Sequence, residues 1–400
     1  MNPFSPQVTL ALRRIGWLNR MNAAQKAFST RRQYRQILAQ YQAMPTPRLA
    51  TPPPSLHPKN ALGLLNIFFL GTDEDQDRSG MLQALEALGR VRHFTRADGS
   101  YGQNDPRPEA IRREANASRL WQLVSDEAAA GHPPDILIAQ TWATLIDPAV
   151  FGRIRAQYGT LIVNIGMDDR HQFRGHRLGN TWSGTLGLIG HIDLALTAAP
   201  ECVEWYLKEA CPALYFPEAS DPGIFHPMPD LPKTHDVCFV GACYGIRKEI
   251  VLALRSAGIR VSAFGNGWGG GRISTADVPK LFAQSKIVLG VGTIGHCRDF
   301  YALKMRDFDA PMSGSLYLTH NNPDLFPLFQ RDREFSTYSN IKECVERAHH
   351  YLREDTSRES VAAAGRARAL RDHTWLHRFS GLFTQLGRPS AQGPQPGNQH

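Results

Sequence analysis

The chain alternates short apolar runs with helical patterns, and it does so twice. Residues 64–70, 135–139, 161–165 and 194–197 are apolar runs without polar alternation, which is how strands covered on both faces read. A shorter strand is expected at 91–94. Helical patterns occupy 80–88, 109–130, 149–158 and 200–209. Strand followed by helix at this spacing predicts a parallel sheet with helices on its faces. The rhythm then stops. Residues 215–227 carry Pro217, Pro222, Gly223 and Pro227, and proline continues to Pro232, so regular structure is excluded there. Beyond it the pattern restarts, with strands at 237–241, 260–264, 286–289 and 315–319. Helices are expected at 247–257, 274–284, 340–352 and 357–371, and another helix ends at Gly314. The fold class is therefore α/β, with two parallel-sheet halves. The expected divisions are an arm and linker at 1–61, a first domain at 62–216, a junction at 217–232, a second domain at 233–388 and a disordered tail at 389–400.

Charge separates the arm from the body. The formal net charge is +8. Nine Lys or Arg residues and no acid precede Asp73, so the remainder is close to neutral. The arm also carries Val8, Leu12, Ile15, Leu18 and Met21 at helical spacing. It suits a peripheral membrane contact, a transit-like segment or a partner arm, and equally a partly disordered basic extension. The body carries no basic stripe, which argues against nucleic acid. Residues 44–60 hold six prolines and read as a linker. The six cysteines form no C-x-x-C pair, a usage that fits a reducing, cytoplasmic compartment. His171, His176 and His191 lack metal-ligand spacing, so zinc is not expected; adjacent Asp168 and Asp169 leave a metal site as an alternative, though none is the expectation.

Three glycine-rich loops follow successive strands of the second half: 241–245, 265–271 and 290–295. In an open parallel sheet they share the carboxyl edge, where ligands bind. Glycine lets backbone N–H groups approach an anion, so Gly241, Gly265, Gly267 and Gly292, with Tyr244, Thr293 and His296 beside them, are expected to cradle phosphate. Residues 290–295 spell G-x-G-x-x-G, but they follow the third strand of their half, not the first, and no acid-ended strand comes next. A nicotinamide dinucleotide site is not expected. Arg247 and Lys248 open a helix, where cations oppose the dipole. A clamp on a diphosphate explains them, and so does a solvated first turn.

The run 303–314 contains Lys304, Arg306, Asp307 and Asp309 before its closing glycine. Lys304 and Arg306 stand two apart and so do not share one helix face. Arg306 is expected to face phosphate and Asp309 to accept from ribose hydroxyls. In the first half, Asp168, Asp169 and His171 follow the strand at 161–165 and are expected at the facing cleft as acceptor-binding or general-base groups. A capping turn, in which the aspartates bond their own backbone, is the alternative.

These residues resemble a family. Phe239-Val240-Gly241 with Arg247, the Gly265–Trp268 loop, Arg306-Asp307-Phe308-Asp309 with Gly314, and Asp372-His373-Thr374-Trp375 with Arg378 look like the CgeB-like glycosyltransferases. The junction Asp221, Phe225 and Pro227 is similar to the linker of many enzymes of that fold. The resemblance covers roughly residues 62–385 and implies the GT-B fold, two facing Rossmann-like domains with a cleft between them. It further implies metal-independent transfer of a sugar from a nucleotide-diphosphate donor, as co-substrate, to an acceptor, with no separate cofactor. Asp309 takes the ribose-binding position. Relatives often carry Glu eight residues earlier, near the donor sugar, where this chain has Tyr301. A sugar-nucleotide epimerase or hydrolase, and a non-catalytic sugar-nucleotide-binding or scaffold protein, are the alternatives on the same fold.

Overall fold

The computed structural model describes residues 6–45, 47, 55–59 and 63–387, with side chains from residue 21 onward. The tail at 389–400 and most of the proline-rich linker lie outside the described residues. Of the basic arm, Pro6–Ala43 form one helix, α1. Its later turns bury Ile37 and Tyr41 in the first domain's core. The aromatic ring of Tyr41 stacks on Trp205, centroids 5.6 Å apart.

The first domain is a six-stranded sheet in the order β2-β1-β3-β4-β5-β6. Its strands are β1 (Leu65–Leu70), β2 (Gly89–His93), β3 (Ile136–Ala139), β4 (Leu161–Gly166), β5 (Leu194–Thr197) and β6 (Ala213–Tyr215). Every neighbouring pair is parallel. Each residue of β1, β3, β4 and β5 is buried, because helices cover both faces. The helices include α2 (Met81–Glu86), α3 (Glu109–Ala129), α4 (Ala149–Tyr158) and α5 (Pro200–Lys208).

The second domain is a five-stranded parallel sheet in the order β8-β7-β9-β10-β11. Its strands are β7 (His235–Val240), β8 (Val261–Phe264), β9 (Ser285–Gly290), β10 (Leu316–His320) and β11 (Ser336–Tyr338). The helices are α6 (Ile246–Ser256), α7 (Val278–Ala283), α8 (Arg306–Met312), α9 (Ile341–Arg353) and α10 (Asp355–Asp372). α9 starts at Asn340, whose side chain accepts the Glu343 N–H at 3.0 Å, satisfying a helix-end donor.

The last helix, α11 (Trp375–Gln385), returns to the first domain. Trp375, Phe379, Leu382 and Phe383 sit in one core with Leu65, Ile67, Met81 and Leu85. The second domain therefore ends near residue 373, not at 388. The chain crosses between domains twice, and the crossings are tied together. Ser220 N donates to the His373 carbonyl at 3.1 Å, and Trp375 N to the Ser220 carbonyl at 3.0 Å.

In both sheets the order reverses beside the first strand. A crevice opens there beyond the strands' carboxyl ends, where ligands of such sheets bind.

Candidate functional site

The two crevices face each other across one cleft. A cavity of about 410 Å³ lies between them, lined by Asp73, Gln76 and Ser79 from the first domain and by Gly241, Gly265, Met305 and Asp309 from the second.

Two guanidinium groups dominate the second domain's wall. Arg247 is buried, held against the Tyr244 ring with 4.1 Å from guanidinium to centroid. It donates to the carbonyls of Ala242 and Val291, both at 3.2 Å. Arg306 lies over Phe239 at 4.9 Å and donates to the Val240 carbonyl. Neither forms an ion pair with a carboxylate among the described residues. Arg247 Nε and Arg306 Nη1 are buried with no hydrogen-bond partner among the described residues. Burial, and secondarily the charge of Arg306, pulls Arg247 down to about 10. Two cations crowded together with donors unspent form a receptor for a polyanion.

The glycine loops act differently from expectation. The amides of Gly241, Gly265 and Gly292 are already engaged. They donate to the Phe264 carbonyl at 2.8 Å, the Gly271 carbonyl at 2.7 Å and His320 Nδ1 at 3.2 Å. These three glycines therefore do not offer N–H groups to a phosphate. They permit close packing instead. Gly265 has φ +126°, and a Cβ there would lie 2.4 Å from the Gly241 carbonyl oxygen. At Gly241 the guanidinium groups of Arg306 and Arg247 lie 3.0 and 3.5 Å from where a Cβ would stand. Lys248 is exposed, as a solvated first turn would have it, whereas Arg247 is buried. Gly267 faces Cys243. His296 sits against Tyr244, centroids 6.0 Å apart. Thr293 is buried, its hydroxyl unpartnered among the described residues.

Asp309 lines the cavity, and its Oδ1 has no hydrogen-bond partner among the described residues. Burial raises its carboxyl well above the usual range. That group is placed to bond hydroxyls. Its neighbour Asp307 is structural: it accepts the Lys304 N–H at 2.8 Å and the Tyr317 hydroxyl.

On the facing domain, Asp168 reaches Lys304 Nζ at 3.3 Å, joining the two walls. Lys304 is thus engaged with the opposite domain. Burial works against ionised Asp168, but Lys304 and His171 outweigh it and hold the carboxyl below its usual range. His171 lies 4.0 Å from Asp168, and burial lowers its imidazole, keeping it neutral near pH 7. Asp169 departs from expectation. It is fully buried inside the first domain, accepting from Thr185 at 2.7 Å and Tyr206 at 3.0 Å. The capping reading does not hold either, since its partners are hydroxyls 16 and 37 residues away; of the three residues, Asp168 and His171 remain on the cleft side.

Tyr301 stacks on His320, centroids 4.2 Å apart. His320 is buried and its imidazole pushed down to about 3 by that burial.

Two groups escaped the sequence reading. Arg170 binds Glu201 through two bonds, at 2.6 and 2.7 Å, and crosses to Asp324 at 2.5 Å and the Tyr301 carbonyl at 2.7 Å. Its carboxylate partners lie 31 and 154 residues away, so nothing in the local sequence marks it. Glu218, in the junction, is buried with Oε2 unpartnered among the described residues, and burial raises it to about 8. Nothing in a Pro-Glu-Ala string marks a buried acid. Among the described residues, no group of three His, Cys, Asp or Glu side chains is placed to hold a metal ion.

Two domains of this kind, facing across a cleft with the last helix crossing back, define the GT-B fold. The comparisons agree. Residues 247–384 match the model of a family described as glycosyl transferase-like. No curated protein matches the chain. Sucrose-phosphate synthase from Thermosynechococcus elongatus superposes with a TM-score of 0.57 at 13% identity, covering 81% of this chain and 99% of that one. HepE of Anabaena, solved with UDP and glucose, gives 0.56 at 11% identity, covering 81% and 99%. A glycosyltransferase from Rickettsia africae gives 0.56 at 10%, covering 82% and 100%.

Proposed function

We propose that the chain is a glycosyltransferase that moves a sugar from a nucleotide-diphosphate donor to an acceptor hydroxyl without a metal ion. One observation carries the reading: buried Arg247 and half-buried Arg306 stand close together, each with a buried donor unspent, beside a cavity that Asp309 lines. That set matches a diphosphate next to a ribose. The glycosyl transferase-like match spans all three residues. HepE, of the same fold, is described in complex with UDP-glucose, which makes uridine diphosphate sugars the first donors to try.

In this mechanism the bond from the anomeric carbon to the diphosphate oxygen breaks, and the electron pair leaves with the diphosphate. The two guanidinium groups stabilise the charge that develops there. The acceptor oxygen attacks the anomeric carbon and loses its proton on the first-domain side. Neutral His171 and ionised Asp168 are the groups there able to take it. Burial of the cleft's floor limits water as a competing acceptor.

A binding-only reading has one observation in its favour: the position eight residues before Asp309 holds the Tyr301 ring, packed on His320, and no carboxylate. The test is a panel of nucleotide sugars scored by thermal shift, followed by transfer from a labelled donor to candidate acceptors. A shift of several degrees with label in a new product is expected. A shift without turnover supports binding alone, and release of free sugar supports a hydrolase. If no nucleotide raises Tm, the donor assignment fails.

A further inference from the structure

The acceptor-side loop and the donor-side loop are joined by one side chain. Arg170 stands between Asp168 and His171 in the first domain. Its guanidinium is only 11% exposed and is shared among Glu201 of α5, Asp324 and the Tyr301 carbonyl, the last two in the second domain. That carbonyl ends a folded loop, residues 291–301. Ile294 N donates to the Phe300 carbonyl at 2.8 Å, and Ala302 N to the Gly292 carbonyl at 3.0 Å. The loop's first residue, Val291, accepts from Arg247 at 3.2 Å. Tyr301 stacks on His320, which takes the Gly292 N–H. A continuous set of contacts thus runs from Arg170 to the cation clamp.

Helix α1 fastens the same loop from outside. The Tyr34 hydroxyl donates to Glu201 Oε1 at 3.0 Å, the carboxylate that holds Arg170. Its ring packs on Phe300, centroids 4.7 Å apart. Arg31 pairs with Asp299, and Cys297 Sγ donates to the Ala27 carbonyl at 3.6 Å. The exposed Arg31–Asp299 pair contributes little. The buried Arg170 set and the Tyr34 ring hold the loop.

We propose that Arg170 is the positioning residue that sets the donor loop 291–301 against the acceptor side, and that α1 belongs to this device through Tyr34. The arm is then a working part of the site, not an appendage. Arg170 touches no reacting atom; it acts through the Tyr301 carbonyl and through the orientation of its neighbours Asp168 and His171. An isolated charge would not serve. The planar fork satisfies three acceptors on two domains at once, which a lysine cannot do. The proposal rests on the donor reading for its kinetic consequence, but its structural core does not.

The test uses the full chain with Tyr34→Phe and Asp324→Asn, which remove one bond each and keep the shape. Amide exchange needs no substrate. Exchange in 291–301 should rise about tenfold in both variants while 161–166 and 285–290 keep their protection. If the donor reading holds, the donor KM should rise about fivefold with kcat within about twofold. Unchanged exchange in 291–301 overturns the proposal, as does a uniform rise across both sheets, which would mean plain destabilisation. If exchange changes as expected and no nucleotide sugar is turned over, the positioning device stands and the enzyme reading falls. Arg170→Lys is expected to behave like Asp324→Asn; wild-type exchange in that variant would also overturn the role given to the fork.

Discussion

Arg247 and Arg306 are costly residues for a folded chain to keep. Both press on Phe239, at 5.7 and 4.9 Å, and the proximity of Arg306 contributes to lowering Arg247 after burial itself. Residues that destabilise the unliganded protein mark a site made for a partner. Arg306→Met should therefore raise the Tm of the free protein while lowering nucleotide affinity about 10- to 100-fold, the range of one or two charge-assisted hydrogen bonds. Differential scanning with and without uridine diphosphate reads both. An unchanged ligand-induced shift would remove Arg306 from the site. Glu218 gives a second prediction, with its sign fixed by linkage. Its carboxyl is raised from the ordinary 4.5 to about 8 by burial, so the folded state holds more protons between those values. Its contribution to stability is full below about pH 4.5 and is lost as pH rises through about 8. Glu218→Gln stays neutral throughout, so its Tm advantage over the parent should grow from pH 5 to pH 8. A constant difference across that window would show that Glu218 titrates normally.

At the scale of elements, strands and helices were largely legible, and the chemistry of loops was not. β5 runs Leu194–Thr197 and α4 runs Ala149–Tyr158, both at the expected limits, because apolar runs and helical periodicity report burial directly. β11, Ser336–Tyr338, was missed: three residues carry no measurable period. The glycine loops were placed correctly at the strands' carboxyl ends, but their role was misread. Glycine in sequence signals that a backbone approaches something closely; it does not say whether that is a ligand or another backbone. At Gly265 it is the Gly241 carbonyl, 2.4 Å from where a Cβ would stand, with φ at +126°. Gly265→Ala should then cost stability through both strain and a backbone clash, on the order of 2–4 kcal/mol. It should also displace the loop on which Trp268 donates to Gly241 at 2.7 Å. Chemical denaturation and the near-ultraviolet tryptophan signal check the two effects separately. A change under about 0.5 kcal/mol would mean the loop relaxes freely.

Across the whole molecule, the division into two α/β halves was readable, because the proline-rich junction interrupts a regular rhythm. The closure of the molecule was not, since long-range docking leaves no local signature. The sequence places residues 375–385 at the end of the second domain, yet α11 fills the first domain's core. Trp375 is 1% exposed and Phe379 fully buried, and the Phe379 ring packs on Phe216 with centroids 5.5 Å apart. The two interdomain crossings, at Ser220 and at Thr374, pair with one another, and the Arg170 and Lys304 contacts join the domains a second time. Stability of the first domain is thereby made to depend on the chain's end. Phe379→Ala removes a buried ring and should cost about 3–5 kcal/mol. Because the lost packing is in the first domain, amide protection should fall in β1 and β3 well before it falls in β7 and β9. Exchange mapped on both sheets under mild denaturant decides the matter: loss confined to the second domain would place α11 with the sheet that precedes it in sequence, and simultaneous loss in both would show that the domains unfold as one unit.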